Sequence, residues 1–315
     1  MEGVTCAAET IRDLPLAHGS LDRAAHRRRE PGLLDALLSD PATRVLELVG
    51  GTVEVVGTDG ELSLHQRPPV PADRHRLAVF LGQDDGGPAH VAVVGDPVDE
   101  GDPRSWRGLR QVATVLDDRE AGMLATALAL TNWHAAHTHC PRCGHATTPE
   151  QAGWVRRCGH DGSEHYPRTD VAVIMSVTDA DDRLLLARGA EWPEGRFSVL
   201  AGFLEPGESL EAAVAREVRE EVGLEVGDVT FLGNQPWPFP TSLMVGFTAR
   251  AVGSAIELDG DELAEAFWVT REGLAERIAD GRVLVSSRMS ISHRLMERWY
   301  GQRLPTTGEW RPARS

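Results

Sequence analysis

The chain has 315 residues, of which 32 are basic and 48 acidic, so its formal net charge is −16. A charge this negative argues against a protein that coats nucleic acid or an anionic membrane through bulk electrostatics, because such partners require a positive face. With 41% hydrophobic and 25% charged residues, the composition is that of a folded protein of roughly two domains, which excludes disordered and fibrous classes.

The first 30 residues mix basic and acidic side chains without an apolar segment, so no secretory signal is expected. The longest apolar runs, such as 171–177, are too short to span a bilayer. Three of the four cysteines fall close together at Cys140, Cys143 and Cys158, which favours a metal site in a reducing compartment over a disulfide. We therefore expect a cytoplasmic protein, in which Cys6 has no assigned role.

The first 118 residues are predicted to be rich in β-strands. Short β-branched runs bounded by Gly, Pro and Asp are typical of antiparallel strands. The runs are 45–51, 52–57, 77–82 and 90–95. A connecting helix is expected over 119–137, because this segment is rich in Ala and Leu and lacks Pro.

The cysteine segment 138–167 follows, and it carries as many basic as acidic side chains, which weakens the idea of a nucleic-acid-reading module. Residues 168–315 mix both element types. Strands are predicted at 171–177, 183–188, 243–251 and 266–269, and helices at 209–222 and 288–300. The expected organisation is a β-rich N-terminal domain at 1–118, a connecting helix at 119–137, the cysteine segment at 138–167 and a domain of mixed strands and helices at 168–315.

The helix predicted over 209–222 places carboxylates on its core-facing side. The positions that share this side are Leu210, Ala213, Val214, Glu217, Val218 and Glu221. Glu217 and Glu221, one turn apart on a buried edge, would repel each other unless a cation compensates them. Arg216 is one candidate, and a hard divalent ion with oxygen ligands is another. The alternative is a helix whose glutamates simply face water.

The segment around this helix resembles the Nudix box, the pattern G-x5-E-x7-REUxEExGU with U aliphatic. The matching positions are Gly202, Glu208, Arg216, Glu217, Val218, Glu220, Glu221, Gly223 and Leu224. The resemblance implies hydrolysis of a nucleoside diphosphate linked to another moiety, with Mg²⁺ or Mn²⁺ held by the box.

In this resemblance Glu217 and Glu221 are the catalytic metal ligands, and Glu220 is a less certain one. Glu208 and Arg216 are expected to hold the loop and helix together. The resemblance adds the main-chain carbonyl of Ala201 and the distal carboxylate of Glu262. The alternative for Glu262 is a solvated acidic patch with Asp259, Asp261 and Glu265.

A proline-rich segment follows the box, and its prolines exclude a central strand and favour a stiff extended loop that presents Trp237 and Phe239. These rings would suit a flat heterocycle, or they could pack on themselves. The segment is similar to the SQPWPFPxS signature of NADH pyrophosphatases, with Asn234 in place of the first serine. The substrate-binding positions implied are Gln235, Pro236, Trp237, Pro238, Phe239, Pro240, Thr241 and Ser242.

The resemblance to NADH pyrophosphatases extends over about residues 105–300. It assigns Arg110, Tyr166, Phe203 and Ser292 to the substrate. Ser292 stands where the family usually has alanine, so a contact there would be made by its main chain. The first three have another explanation: Tyr166 and Phe203 as core aromatics, and Arg110 in a surface ion pair.

The resemblance implies an α+β chain: a Nudix α/β/α sandwich fold preceded by a small zinc ribbon and a β-rich N-terminal domain. It implies metal-dependent hydrolysis of NADH or NAD⁺ to AMP and nicotinamide mononucleotide, removal of the NAD cap from RNA 5′ ends, and a homodimer. The alternatives are a Nudix hydrolase for another nucleotide such as ADP-ribose, or a degenerate nucleotide-sensing or zinc-ribbon interaction protein.

The zinc ribbon departs from the family pattern. Cys140, Cys143 and Cys158 have the spacing of a structural Zn²⁺ site, which normally takes four ligands. Asp161 stands where the fourth cysteine is expected. Asp161 is the favoured fourth ligand by position, with His145, His160 or His165, or a weakened or empty site, as alternatives.

Overall fold

The computed structural model describes residues 10–58, 60–97, 106–258, 260 and 262–305. Cys6, Asp259 and Asp261 lie outside the described residues. The chain divides into two compact units. One consists of Pro15–Thr169 with Pro236–Ser242, and the other of Met1–Leu14, Asp170–Gln235 and Leu243–Ser315.

The first unit contains a six-stranded sheet. Its elements are helix α1 (Leu33–Leu37) and strands β1 (Arg44–Val49), β2 (Thr52–Thr58), β3 (Glu61–Leu64), β4 (Ala78–Gln83), β5 (Ala89–Val94) and β6 (Trp106–Gly108). The strand order is β3-β2-β1-β5-β4, with β6 paired to β2. The antiparallel prediction is wrong for one pair, because β1 and β5 run parallel with Val45 opposite Val91. The long connection between these two strands makes a parallel pair possible.

Two helices follow this sheet, α2 (Leu109–Val112) and α3 (Asp118–Ala136). The α3 helix begins where the side chain of Asp117 accepts a hydrogen bond from the Glu120 N–H, and this cap satisfies one of the free donors of the first turn. Leu124, Ala127 and Leu128 are buried on its inner side, which confirms the predicted helix.

The cysteine segment forms a small three-stranded sheet. Its strands are β7 (Thr147–Glu150), β8 (Val155–Cys158) and β9 (Glu164–His165), paired antiparallel in that order.

The second unit is built on another six-stranded sheet. Its strands are β10 (Asp170–Thr178), β11 (Leu184–Gly189), β12 (Leu200–Phe203), β13 (Val226–Trp237), β14 (Ser242–Ala251) and β15 (Leu263–Val269). The order is β13-β14-β10-β11-β15, with β12 paired to β10. The edge strand β13 runs through Pro236 and ends at Trp237, inside the segment predicted to be an extended loop. An edge strand tolerates proline, because its missing N–H faces away from the neighbouring strand.

Three helices complete this unit: α4 (Leu210–Val222), α5 (Arg271–Ala279) and α6 (Ile291–Tyr300). The α4 helix is capped by Ser209 at its start and ends at Gly223, whose φ of 68° suits glycine. Its inner face buries Val214 and Val218 against the sheet core. Among the described residues, no helix has both the length and the apolar character needed to cross a bilayer.

Candidate functional site

The two carboxylates predicted on the inner side of α4 are buried. Glu217 and Glu221 are each 8% exposed. The Glu217 carboxylate lies against the main chain of β12, since a Cβ added to Gly202 would lie 1.9 Å from Glu217 Cδ. Glycine is therefore required at this strand position. Ala201, whose carbonyl is the other predicted ligand of this segment, directly precedes Gly202 on β12 and is exposed.

Burial and neighbouring carboxylates disfavour the ionisation of Glu217. Burial raises the pKa of Glu217, and the charges of Glu220 and Glu262 raise it further, while Arg216 opposes the shift. Glu262 is therefore within electrostatic range of Glu217, although two strands separate them in the sequence. Buried and clustered carboxylates fit a hard divalent cation, which prefers oxygen ligands and removes this repulsion.

Arg216 joins the box loop to the helix. Its guanidinium donates to Glu208 Oε1 at 2.6 Å and to the Phe203 carbonyl at 2.8 Å. The same group reaches Glu217 at 2.9 Å and Glu220 at 3.0 Å. The predicted structural role of Glu208 and Arg216 is confirmed, and it orients the box around Glu217. The Glu220 side chain is 58% exposed and lies at the edge of the cluster.

Three of the residues assigned to the substrate come together in the first unit. The rings of Trp237 and Phe239 meet edge to face with centroids 5.1 Å apart. The Arg110 guanidinium lies 3.8 Å from the Phe239 centroid and 4.9 Å from that of Trp237. Arg110 thus stacks on aromatic rings, a contact that its explanation as part of a surface ion pair does not include.

The loop that carries these rings is anchored by a residue that sequence reasoning missed. Asn132 on α3 donates from Nδ2 to the carbonyls of Pro238 and Pro240, at 3.3 and 3.1 Å. Proline carbonyls need such donors because the ring nitrogens provide no N–H for a regular ladder. The one available signal was a polar amide within an Ala- and Leu-rich helix. The other loop positions, Pro236, Thr241 and Ser242, are half-buried.

Two further aromatics stand in the solvent. Tyr166 is 62% and Phe203 60% exposed, so their explanation as core aromatics is wrong. The Tyr166 hydroxyl donates to Glu164 Oε2 at 2.6 Å, which fixes the position of the ring. Both rings are therefore open to solvent and accessible to a ligand.

Gln235 and Ser292 are buried, and their side chains are engaged inside the second unit. The Gln235 amide donates to the Met289 carbonyl at 2.7 Å and accepts from the Ile291 N–H at 2.8 Å. Gln235 therefore holds the beginning of α6. The hydroxyls of Ser292 and Ser198 are hydrogen-bonded at 2.7 Å, so this serine joins α6 to the segment before β12.

The cysteine segment folds into two turns that present its sulfurs. The Gly144 N–H donates to the Cys140 carbonyl at 2.9 Å, and the Gly162 N–H donates to the Cys158 carbonyl at 3.0 Å. Gly144 and Gly162 have φ of 74° and 70°, in the left-handed region that favours glycine. The turn after Cys140 and the turn after Cys158 thus have the same geometry.

Asp161 completes a four-residue cluster with the three cysteines. One ligand atom from each of these residues lies within 4.8 Å of the others. Cys143 and Cys158 sulfurs are 3.4 Å apart, and Cys140 Sγ is 3.7 Å from Asp161 Oδ2. Tetrahedral ligands at the usual Zn–S distance would be about 3.8 Å apart, so the donor set fits Zn²⁺. A hydrogen bond with Ser163 lowers the pKa of Cys140 to about 6. The pKa of Cys143, although lowered by the His145 N–H, is raised to about 11 by burial and the neighbouring thiols, so Cys140 is the first of the two to ionise.

The histidine alternatives fit less well. The rings of His145 and His160 are stacked at 4.0 Å with an angle of 6° between their planes. Imidazole lone pairs lie in the ring plane, so parallel rings do not converge on one ion. His165 Nε2 lies 3.1 Å from the Ser163 hydroxyl, which itself donates to Asp161 Oδ1 at 2.5 Å. His165 thus supports the group that orients Asp161.

Comparison with known proteins agrees with this arrangement. Three family models match in turn: the NADH pyrophosphatase-like rudimentary NUDIX domain at 44–133, the NADH pyrophosphatase zinc ribbon domain at 135–166 and the NUDIX domain at 167–286. A protein from Mycobacterium bovis, NAD-capped RNA hydrolase NudC, is 42% identical over 253 residues, which cover 76% of this chain and 78% of that protein. The chain belongs to the NADH pyrophosphatase family of Nudix hydrolases.

Other members of the family match to different extents. The Mycobacterium tuberculosis protein of the same name is also 42% identical over 76% of this chain and 78% of its own length. The human NAD-capped RNA hydrolase NUDT12 is 40% identical over 196 residues, 58% of this chain and 42% of that protein. Family membership also accounts for the N-terminal region, which no motif had identified: residues 44–133 match a rudimentary NUDIX domain.

Proposed function

We propose that this Nudix hydrolase cleaves the pyrophosphate of NADH or NAD⁺, giving AMP and nicotinamide mononucleotide, and that it also removes the NAD cap from RNA 5′ ends. The observation that carries the proposal is the pair of buried carboxylates, Glu217 and Glu221, with Glu217 packed on Gly202. The names of the relatives, NAD-capped RNA hydrolases, support the choice of substrate.

We assign the catalytic metal ions, Mg²⁺ or Mn²⁺, to Glu217, Glu221, the Ala201 carbonyl and Glu262. When bound, such ions neutralise phosphate oxygens and lower the pKa of a coordinated water. The protein's own contribution is orientation: Gly202 leaves room for the Glu217 carboxylate, and Arg216 fixes its angle. Buried carboxylates that repel each other hold a divalent ion more tightly than exposed ones, because binding relieves the repulsion.

We assign the dinucleotide to the exposed and loop aromatics. Trp237 and Phe239 form a ring pair on which Arg110 already stacks, and Tyr166 and Phe203 offer free ring faces. Planar bases bind such rings, and a guanidinium pairs with phosphate. Further substrate-binding positions are proposed from the family resemblance: Gln235, Pro236, Pro238, Pro240, Thr241, Ser242 and Ser292.

Product analysis tests the proposal. The parent protein and Glu221→Gln are incubated with NADH, NAD⁺ and ADP-ribose, each with Mg²⁺, with Mn²⁺ and with chelator, and the products are separated by chromatography. The parent should release AMP and nicotinamide mononucleotide only with metal, and kcat/KM should be higher for NADH than for ADP-ribose. A preference for ADP-ribose would refute the substrate, and an equally active Glu221→Gln protein would refute the mechanism.

We also propose that the ribbon binds one structural Zn²⁺ through Cys140, Cys143, Cys158 and Asp161. The mutual distances of their ligand atoms support this set. Metal analysis of protein purified without chelator should give about one zinc per chain, because structural sites bind tightly.

The assembly and compartment are proposals as well. Family resemblance supports a homodimer, which light scattering coupled to gel filtration would measure. The clustered thiols favour a reducing compartment, so we propose that the enzyme acts in the cytoplasm.

A further inference from the structure

Two arginines near the N-terminus share one aromatic ring of the zinc ribbon. The Arg28 guanidinium lies 3.5 Å from the centroid of Trp154, and that of Arg23 lies 5.8 Å from the same ring. Arg28 belongs to a short 3-10 helix, Ala25–Arg29, that ends in three consecutive arginines. Two positive side chains are therefore held close together in a chain whose net charge is −16.

No carboxylate of the described residues compensates these cations. Arg28 donates to the Arg23 carbonyl and Arg23 to the Thr126 hydroxyl, both at 3.4 Å. Arg28 Nε is buried without a hydrogen-bond partner in the part of the chain that is described. Burial, and then the charge of Arg23, lower the pKa of Arg28. Arg29 is exposed and makes no ion pair with any described residue. An anion bound at the accessible nitrogens of these guanidinium groups would offset the repulsion between them.

The free arginines line a cavity of about 440 Å³. Its walls also carry three carboxylates, but two of them are already paired. Glu30 bonds to Arg27 at 3.2 Å, and Glu150 bonds to Arg157 at 2.7 Å. The remaining one is Asp35. The lining thus carries three arginines and three carboxylates, and of these arginines Arg28 and Arg29 make no ion pair with a described residue.

This cavity lies beside a residue that we assign to the substrate. The pKa of Tyr166 is raised by its hydrogen bond to Glu164, and the positive charges of Arg29 and Arg157 oppose that shift. The charge of Arg29 likewise lowers the pKa of Glu164, after the larger effect of the Tyr166 hydrogen bond. Direct contacts make the same connection, because Arg157 on the cavity wall pairs with Glu164, which accepts a hydrogen bond from the Tyr166 hydroxyl at 2.6 Å. A strand that continued from a dinucleotide held at Tyr166 would pass near this cavity.

We propose that Arg28 and Arg29 bind backbone phosphates of the RNA strand that follows the NAD cap. This inference rests on the proposed decapping function and adds a site for the RNA body, which free NADH does not occupy. Guanidinium groups bind phosphate through paired hydrogen bonds, and their contribution is independent of base sequence. A local site of this kind reconciles an RNA substrate with a chain whose overall charge repels nucleic acid.

The test compares two substrates on one protein. Hydrolysis of NADH and of a single-stranded RNA of about 20 nucleotides with a 5′ NAD is measured for the parent, Arg29→Glu and the Arg28→Gln/Arg29→Glu double variant. Arg74→Glu is the matched control, because Arg74 is an exposed arginine of the same unit outside the cavity. Thermal unfolding verifies that each variant is folded, and Arg29→Glu changes an exposed side chain that makes no hydrogen bond or ion pair with a described residue.

In Arg29→Glu, kcat/KM for NAD-capped RNA should fall about fivefold to tenfold at low salt, while that for NADH stays within about twofold. The salt dependence of the RNA reaction should weaken by roughly one phosphate contact. Equal losses for both substrates, no loss for the RNA, or the same RNA-specific loss in Arg74→Glu would overturn the proposal.

A binding measurement separates this inference from the proposed function. Fluorescence anisotropy of the same RNA, with and without its NAD and in the presence of chelator, reports phosphate contacts without hydrolysis. Weaker binding of both RNAs by Arg29→Glu supports the site even if the parent hydrolyses neither substrate, an outcome that would refute only the proposed function. Unchanged binding refutes the site.

Discussion

Gly202→Ala should abolish most activity while leaving the fold intact. A Cβ at this position would lie 1.9 Å from Glu217 Cδ, whereas ordinary contact begins at 3.4 Å, so the carboxylate must move by about 1.5 Å. That is most of a metal–oxygen distance of about 2.1 Å, and the oxygen would leave its coordination position. Misplacement by roughly 1 Å can cost about 10²-fold in rate, so we expect kcat to fall at least that far.

The cost in stability should be small, because the displaced atoms belong to the end of a side chain rather than to the main chain. The assay is metal-dependent hydrolysis of NADH, with Mn²⁺ affinity measured by calorimetry and unfolding followed by circular dichroism. Gly227→Ala is the matched control, since a Cβ there meets nothing within 4 Å. Parent-like activity and Mn²⁺ affinity in Gly202→Ala would refute the placement of Glu217 as a ligand. A loss of activity explained entirely by unfolding would refute the reasoning about the strand.

Glu217→Gln should lower kcat by about 10²-fold or more, as for loss of one group that stabilises transition-state charge, and should stabilise the metal-free protein. Because the pKa of Glu217 is raised in the folded state, its ionisation destabilises the fold as the pH rises above the pKa of the unfolded chain. The melting temperature of Glu217→Gln should therefore exceed that of the parent at neutral pH and equal it in acid. Calorimetry with chelator measures the difference, and a lower melting temperature at neutral pH would contradict the prediction. Asp161→Ala should weaken zinc binding by about tenfold or more, and equal zinc affinity would exclude the carboxylate as a ligand. Asp161→Cys should retain the metal and increase the sulfur-to-metal absorption of the Co²⁺-substituted protein. Asn132→Ala removes two hydrogen bonds worth about 1 kcal/mol each, so KM for NADH should rise several-fold with kcat little changed; an unaltered KM would show that the proline-rich loop holds itself in place.

Much of this protein could be predicted from local patterns. The helix at 209–222 followed from the spacing of its apolar residues, and the structure places its boundaries within one residue of that prediction. The burial of Glu217 and Glu221 followed from the same spacing, since periodicity alone determines which positions share a helix face. The ribbon followed from cysteine spacing, because the two turns that hold the sulfurs are local. The parallel pairing of β1 and β5 did not follow, because hydrophobic runs give a strand's existence and not its neighbour.

Contacts between distant segments were decided only by the tertiary structure. The sequence identified Gln235 as part of a signature, but the structure shows its amide holding the start of α6. Nothing in the sequence indicates that Asn132 anchors the proline-rich loop or that Arg28 stacks on Trp154. The physical reason is the same in each case. Helix and strand periods and metal-ligand spacings are properties of a few neighbouring residues, whereas a hydrogen bond or a stacked ring between remote segments depends on how the whole chain packs.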